Sequence, residues 1–194
     1  MPTEKRIARV REVLTKRQPD LRVVLDAVSI AHNASAVART CDACGVLYLD
    51  IIAPQAEALK LNEAITTRAD KWLEWRVHRA AADCLADLKK AGYRIVAAQI
   101  GHGALPYDRI DYTTPTALVF GSEAAGLTQE ALSYADETIA IPMVGMVQSL
   151  NLSVSVAVVL YEAFRQRQAK GMYDRPRLSP SELERLERKW LRTD

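Results

Sequence analysis

The sequence predicts an α/β fold, a mainly parallel sheet covered by helices on both faces. Short β-branched apolar runs alternate with helix-forming stretches along the chain, as at 21–28 (LRVVLDAV), 45–53 (GVLYLDIIA), 94–100 (RIVAAQI), 116–120 (TALVF) and 138–141 (TIAI). The runs are mainly apolar, the pattern of strands buried on both faces. With 194 residues, 49% hydrophobic and 26% charged, the chain has enough apolar material for one proper core.

In order along the chain, residues 3–17 form an amphipathic helix, with Ile7, Val10, Val13 and Leu14 at helical spacing and basic residues between. After the first strand (21–28), good helix formers run from Asn33 to Cys44 and stop at Gly45, with Asn33 or Ser35 placed to cap the start. The second strand (45–53) ends at Pro54. Residues 55–70 read as a surface loop with a helical turn at 57–61. In 71–78 Trp72, Glu74 and Arg76 alternate with Leu73, Trp75 and Val77, a short edge strand. Its two Trp suit either ordinary packing or an RNA-facing surface. A helix over 79–90 ends at Gly92 and leads to the strand at 94–100; after 116–120, Thr128 caps a helix at 129–135. The run at 138–141 stops at Pro142, and a Gly-containing loop (143–148) leads to Ser149-Leu150-Asn151.

Residues 152–160 (LSVSVAVVL) fit a strand as well as a helix by alternation. No turn signal interrupts them before Gly171, so the reading is a helix of about twenty residues. Apolar on nearly every side in its first turns, it needs cover from its own sheet and from a second surface, such as that of a homodimer. Ser179-Pro180-Ser181-Glu182 then opens a charged last helix reaching Trp190. The expected organisation is a basic N-terminal extension (1–20), an α/β unit (21–171) and a C-terminal helical extension (172–194).

Net charge is only +2, but residues 1–22 hold seven Lys/Arg against three acids and 165–194 nine against five. Basic ends on an acidic body suit a polyanionic partner, with solvated helix faces as the plainer alternative. Candidate phosphate contacts are Lys5, Arg6, Arg9 and Arg11 at one end and Arg165, Arg167, Arg175 and Arg177 at the other. No apolar run approaches the ~20 residues that span a bilayer, and no leader-like segment opens the chain, so the expected location is cytoplasmic. Cys41 and Cys44 form the only C-x-x-C, at the end of a predicted helix instead of its N-terminus; redox and metal roles are not expected. Gly101-His102-Gly103 lacks the third glycine of a dinucleotide fingerprint, and Leu127 stands where a phosphate-binding loop has Lys. His102 is either a ligand contact or a solvated loop residue.

Three polar clusters then fall on one rim of the sheet, where strands end and helices begin: Asn33 with Arg39, Gly121 with Glu123, and Ser149 with Asn151. In open α/β sheets that rim is where ligands bind. Ser149 and Asn151 suit helix capping as well as ligand binding, and Arg39 suits an ion pair as well as a phosphate. Glu123 is a hydrogen-bond anchor or base.

The segments N-A-S-A-V-A-R-T (33–40), F-G-S-E-A-A-G-L (120–127) and I-P-M-V-G-M-V-Q-S-L-N-L-S-V-S (141–155) resemble the three ordered motifs of the SPOUT superfamily of RNA 2′-O-methyltransferases. R-Q-P-D-L (17–21), I-D-Y-T-x-P-T (110–116) and G-M-Y-D-R-P-R-L (171–178) are similar to its TrmH group, the tRNA (guanosine-18-2′-O)-methyltransferases. The resemblance covers almost the whole chain. It implies a C-terminal deep trefoil knot, an obligate homodimer, S-adenosylmethionine as methyl donor and tRNA as substrate. By motif position the cofactor would lie against Gly121, Ile141, Met146 and Leu150, with Ala98 or Gln99 at the end of the fourth strand. Arg39 would serve the 2′-hydroxyl, supported by Asn33, Glu123, Ser149 and Asn151. Ile30-Ala31-His32 departs from the group's Lys-Pro-His, removing a cation, and 66–70 (TTRAD) replaces a loop often rich in Gly and Ser. The alternatives are the same chemistry on ribosomal RNA or another tRNA position, and a knotted RNA-binding module without catalysis.

Overall fold

The structure, a computed structural model, describes residues 2–27, 31–53, 69–101, 103–122 and 125–192, with 31–33, 69 and 70 described by main chain alone. Helix α1 (Glu4–Thr15) is capped by Thr3, whose hydroxyl accepts from the Arg6 N–H. The strands are β1 (Gln18–Asp26), β2 (Val46–Ile52), β3 (Glu74–His78), β4 (Arg94–Ala98), β5 (Leu105–Pro106), β6 (Thr116–Phe120) and β7 (Glu137–Ala140). They pair in the order β3-β2-β1-β6-β4-β7-β5, and every pair is parallel. Between them lie α2 (Ala31–Ala43), α3 (Ala81–Lys90) and α4 (Gln129–Ser133), followed by α5 (Leu152–Ala169) and α6 (Pro180–Arg192).

Two apolar layers follow from strand alternation. Leu21, Val23 and Leu25 of β1 face one way, into a core shared with Ala34, Val37 and Ala38 of α2 and Val156, Val159 and Leu160 of α5. Val24 faces the other, with Ile95, Val119, Leu85 of α3 and Ala131 of α4. A third cluster sits outside both: Val10 and Leu14 of α1 meet Leu186 and Trp190 of α6 over Leu47 and Tyr48. The two terminal extensions therefore pack on each other and on the amino end of β2.

Several expectations shift. The first strand starts at Gln18, three residues early, because the Gln18 N–H donates to Gly45 O and the residue pairs with Val46. Helix α2 is already helical at Ala31, so neither Asn33 nor Ser35 is its cap, and Ser35 is buried within it. The α4 helix stops at Ser133, two residues short of the expected end, and β4 stops at Ala98. The two-residue β5 carries no sequence signal. Trp72 packs against Trp190 with centroids 5.4 Å apart, the packing reading of that pair. The expected turn at 57–61, His102 and the departures at Ile30 and 66–68 lie outside the described residues.

Candidate active site

Strands β6, β4 and β7 lie side by side in the sheet, and the segments that leave their carboxyl ends enclose a cleft of about 490 Å³. Ala98 and Gln99 leave β4, Gly121 and Ser122 leave β6, Ile141 leaves β7, and Ser149 and Leu150 close the far side. The volume suits a nucleoside-sized ligand, since small-molecule pockets run roughly 300–1,000 Å³. Leu127, Leu132 and Ile139 give it apolar walls, while Gln99, Gln129 and Gln148 supply amides.

The loop after β6 explains Gly121. Ser122 and Gly126 exchange main-chain hydrogen bonds of 3.0 and 2.8 Å, which brings residues 121–122 back against 126–127. A Cβ on residue 121 would stand 2.1 Å from the Gly126 carbonyl carbon and 2.2 Å from its oxygen. Only glycine fits. Gly126 itself has φ +68°, the left-handed region. Its part in the cleft, and those of Gln129 and Met143, were not assigned from sequence. Two glycines five apart bracketing a polar loop after a strand were the available signal.

Five of the six residues expected at the cofactor, Ala98, Gln99, Gly121, Ile141 and Leu150, line this one cleft. Met146 does not. It is fully exposed, and Val144 and Val147 beside it are exposed as well. Ser149 lines the cleft. Asn151 is the N-cap of α5, its Oδ1 accepting from the Ser153 N–H (2.9 Å) and the Ser153 hydroxyl (2.6 Å), so it fixes the helix entrance beside Ser149. Arg39 is exposed on α2, whose opposite side packs on α5. The side chains of Asn33 and Glu123 lie outside the described residues.

The basic ends divide. Lys5 and Arg175 are exposed, and Arg9, Arg11 and Arg165 are exposed while pairing with Glu12, Glu187 and Glu162. Arg6 is half-buried and donates to Trp190 O, and Arg177 pairs with Asp20 at 2.6 Å. Arg167 corrects the sequence reading. With 0% of its surface exposed, it donates to Asp20 Oδ1 (2.7 Å), Gln18 Oε1 (3.0 Å), Tyr112 O and Thr114 O, and cannot also hold a phosphate. This network lowers the Asp20 carboxyl. Burial pushes its carboxyl up, but the Arg167 charge and the bonds from Arg167 and Arg177 outweigh that and hold it below 3.8.

The cysteines are buried. Desolvation raises the Cys41 thiol well above its usual value and that of Cys44 to about 12, so neither is a thiolate near neutrality. Cys84 comes close to Asp50 and His78, with potential ligand atoms within 4.8 Å of one another. Asp50 there is already engaged: Oδ2 by Arg22 at 2.9 Å, Oδ1 by His78 Nε2 at 2.8 Å.

Comparison with known proteins agrees with this geometry. The sequence model of the SpoU rRNA Methylase family matches residues 20–161, and that of the SpoU rRNA methylase C-terminal region matches 165–191. The tRNA (guanosine(18)-2′-O)-methyltransferase of Aquifex aeolicus is 46% identical over 191 residues, 98% of this chain and 90% of the relative. The enzyme of the same description from Thermus thermophilus is 46% identical over 190 residues, 98% of this chain and 97% of its own. The crystal structure of the A. aeolicus TrmH/SpoU tRNA modifying enzyme superimposes with a TM-score of 0.92, covering 97% of this chain and 95% of that one. A more distant structure, the SpoU methyltransferase AviRb from Streptomyces viridochromogenes in complex with the cofactor AdoMet, has a TM-score of 0.66 at 26% identity, covering 87% of this chain and 64% of that one.

Proposed function

Because the chain belongs to the SpoU methylase family, we propose that it transfers a methyl group from S-adenosylmethionine to the ribose 2′-hydroxyl of guanosine 18 in the D-loop of tRNA. One observation carries the reading. The segments leaving β4, β6 and β7 meet around a single cleft, in a chain 46% identical across 98% of its length to a tRNA (guanosine(18)-2′-O)-methyltransferase.

The residues present fit the cofactor. Main chain at Gly121, Ile141 and Leu150, with Ala98 and Gln99, would hold it, and the close approach of Gly126 that the missing Cβ of Gly121 permits shapes one wall of that cradle. When bound, S-adenosylmethionine supplies an electrophilic sulfonium methyl. The protein must then hold the 2′-oxygen in line behind that carbon while the C–O bond forms, the S–C bond breaks and the hydroxyl proton departs. Arg39 is the proposed positioning group. A guanidinium with pKa above ~12 is a poor base but a strong bidentate donor, so its role is to grip the 3′-phosphate and to lower the cost of the developing alkoxide. Asn33, Glu123 and Ser149 are the proposed supporting groups, and Asn151 holds the entrance of α5.

The finer features of the family are part of the proposal. The segment after β7 is read as the knotted one, since it returns to wall the same cleft as the loop after β6. A homodimer would cover Val144, Met146 and Val147 on that segment and Val154 and Tyr161 on α5, all exposed in the single chain. Residues 1–20 and 172–194 are read as phosphate-gripping extensions of the catalytic unit at 21–171. A tRNA substrate implies the cytoplasm; among the described residues no helix is long and apolar enough to cross a membrane.

The test is transfer of labelled methyl from S-adenosylmethionine to tRNA lacking ribose methylation, with the modified nucleotide mapped and Arg39→Ala and Arg39→Lys alongside. The expected product is 2′-O-methylguanosine in the D-loop, lost in both variants. Label at another nucleotide would overturn the substrate, and full activity in Arg39→Lys would overturn the bidentate role. The family's description as rRNA methylases makes ribosomal RNA the second substrate to try.

A further inference from the structure

Asp26 ends β1 with a carboxylate that is 1% exposed. An acid there is costly unless its oxygens are bonded, because a buried carboxylate loses its hydration. Its Oδ2 accepts from the main-chain N–H of Thr128 at 2.7 Å, a contact between residues 102 apart in sequence. Thr128 is not an arbitrary partner. It is the N-cap of α4, its own hydroxyl accepting from the Ala131 N–H at 3.1 Å, and it closes the folded-back loop at 121–127. That loop forms one wall of the cleft through Gly121, Ser122, Gly126 and Leu127, and Gln129 follows directly.

The other side of Asp26 leads to the substrate. Ala27, the next residue, has φ +53°, the left-handed region that a non-glycine side chain enters at a cost, and its N–H is fixed on Ile52 O at 3.0 Å. Further along the chain is α2, which carries Arg39. A single buried side chain thus bolts the strand end that precedes the Arg39 helix to the loop that walls the cofactor cleft.

We propose that Asp26 is a positioning residue for methyl transfer: through the Thr128 N–H its carboxylate sets the place of the 121–128 loop and so the affinity of the cleft for S-adenosylmethionine. The inference rests on the function proposed above. The phosphate contacts proposed for the terminal extensions lie at the opposite edge of the sheet, so most of the RNA affinity is separable from this effect. The bond requires an acceptor, not a charge as such, so Asn in the same rotamer preserves most of it, whereas Leu fills the space and leaves the Thr128 N–H unpaired.

The test is calorimetric titration of Asp26→Leu and Asp26→Asn with S-adenosylmethionine and, separately, with tRNA, together with steady-state kinetics. For Asp26→Leu the cofactor Kd and KM should rise by about tenfold or more, the value of a lost hydrogen bond to a charged acceptor. kcat at saturating cofactor and the tRNA Kd should stay within about threefold, and Asp26→Asn should restore cofactor affinity to within about threefold of wild type. Wild-type cofactor affinity in Asp26→Leu, equal weakness in the Leu and Asn variants, or a parallel fall in cofactor and tRNA binding would each overturn the inference.

Should Asp26→Leu fail to fold, Thr128→Pro and Thr128→Ala carry the same test. A proline ring holds φ near about −65°. Thr128 already stands at −67°, so proline deletes the N–H with little change of backbone, while alanine keeps it. Proline should then bind cofactor about tenfold more weakly than alanine, and equal affinities would overturn the inference. A wild-type protein that bound no S-adenosylmethionine would sink the proposed function along with it; a wild type that binds, beside an unaffected Asp26→Leu, sinks this inference alone.

Discussion

Gly121→Ala puts the cleft geometry at risk with a single methyl group. The added Cβ would lie 2.1 Å from Gly126 C, 2.2 Å from Gly126 O and 2.3 Å from Leu127 N, all main chain. Against a comfortable carbon separation of ~3.5 Å the shortfall is more than about 1 Å, too much for a rotamer change to absorb. One of two segments must move, and they are tied by the paired Ser122–Gly126 hydrogen bonds. Overpacking costs about 1–3 kcal/mol and each broken hydrogen bond roughly 1 kcal/mol, while the stiffer unfolded chain returns at most ~1 kcal/mol. The net is about 2 kcal/mol or more. If the fold survives with the loop displaced, that strain appears as a loss of cofactor affinity of roughly 30-fold; otherwise it appears as lost stability. Gly145→Ala is the control, since a Cβ there meets nothing within 4 Å. Calorimetric titration with S-adenosylmethionine and urea unfolding of both variants read the two quantities. If Gly121→Ala matched Gly145→Ala in both, the close approach of the 121 and 126 segments would be refuted.

Arg167→Met removes five hydrogen bonds from a fully buried side chain and leaves Asp20 with Arg177 alone, so urea denaturation should show a loss of about 3–5 kcal/mol. A loss below about 1 kcal/mol would mean the network is not as drawn. Asp20→Asn tests the same network by pH: the native carboxyl titrates below its ordinary 3.8, so its stabilisation is complete above the unfolded value and lost as pH falls through the folded one. The wild type should therefore lose stability more steeply than Asp20→Asn below ~pH 4, and parallel curves would contradict the depressed carboxyl. Neutralising exposed Lys5 and Arg9 to Gln should weaken tRNA binding and flatten its salt dependence by about one unit of slope for each phosphate no longer neutralised, with cofactor affinity unchanged; an unaltered slope would remove α1 from the RNA surface.

What the sequence could reveal follows from how far apart the interacting groups are. The strands at 116–120 and 45–53 were legible because β-branched runs declare themselves locally, and the capping box at Ser179 and Glu182 is formed as read, with Glu182 Oε2 accepting from Ser179 N at 3.0 Å. The cleft was legible in two ways: a parallel sheet brings strand ends such as Gly121 and Ser149 to one edge, and the motif resemblance added Ala98, Ile141 and Leu150. Arg167 was not legible. On a helix rich in Gln and Arg it looks solvated, and only partners 147 and 149 residues away make it a core residue. Gln18 hid the same way, a polar residue before Pro19 whose amide is used by Met172 O at 3.0 Å. Met146, given to the cofactor by motif position, stands fully exposed beside Val144 and Val147, since an apolar loop serves a surface awaiting a partner as readily as a pocket.

The position of the extensions constrains how they can serve the reaction. Helix α6 touches the sheet through Leu47, Tyr48 and Glu74, near the start of β2 and β3, with Tyr48 donating to Glu182 and Glu74 bound by Arg185 and Lys189. The cleft opens at the carboxyl ends of β4, β6 and β7, on the opposite edge. Helix α5 spans the two edges, from Leu152 at the cleft to Arg167 beside Gln18 and Asp20, and its 18 residues measure roughly 27 Å at about 1.5 Å each. Cations anchored at that end lie well beyond a Debye length of about 8 Å from the reacting ribose, so within one chain they cannot stabilise charge in the transition state. On the proposed reading their contribution is to hold RNA phosphates distant from the target nucleotide. On the same reading the chemistry at the rim falls to Arg39 and its neighbours, and affinity for tRNA and rate of methyl transfer become properties of different ends of the same molecule.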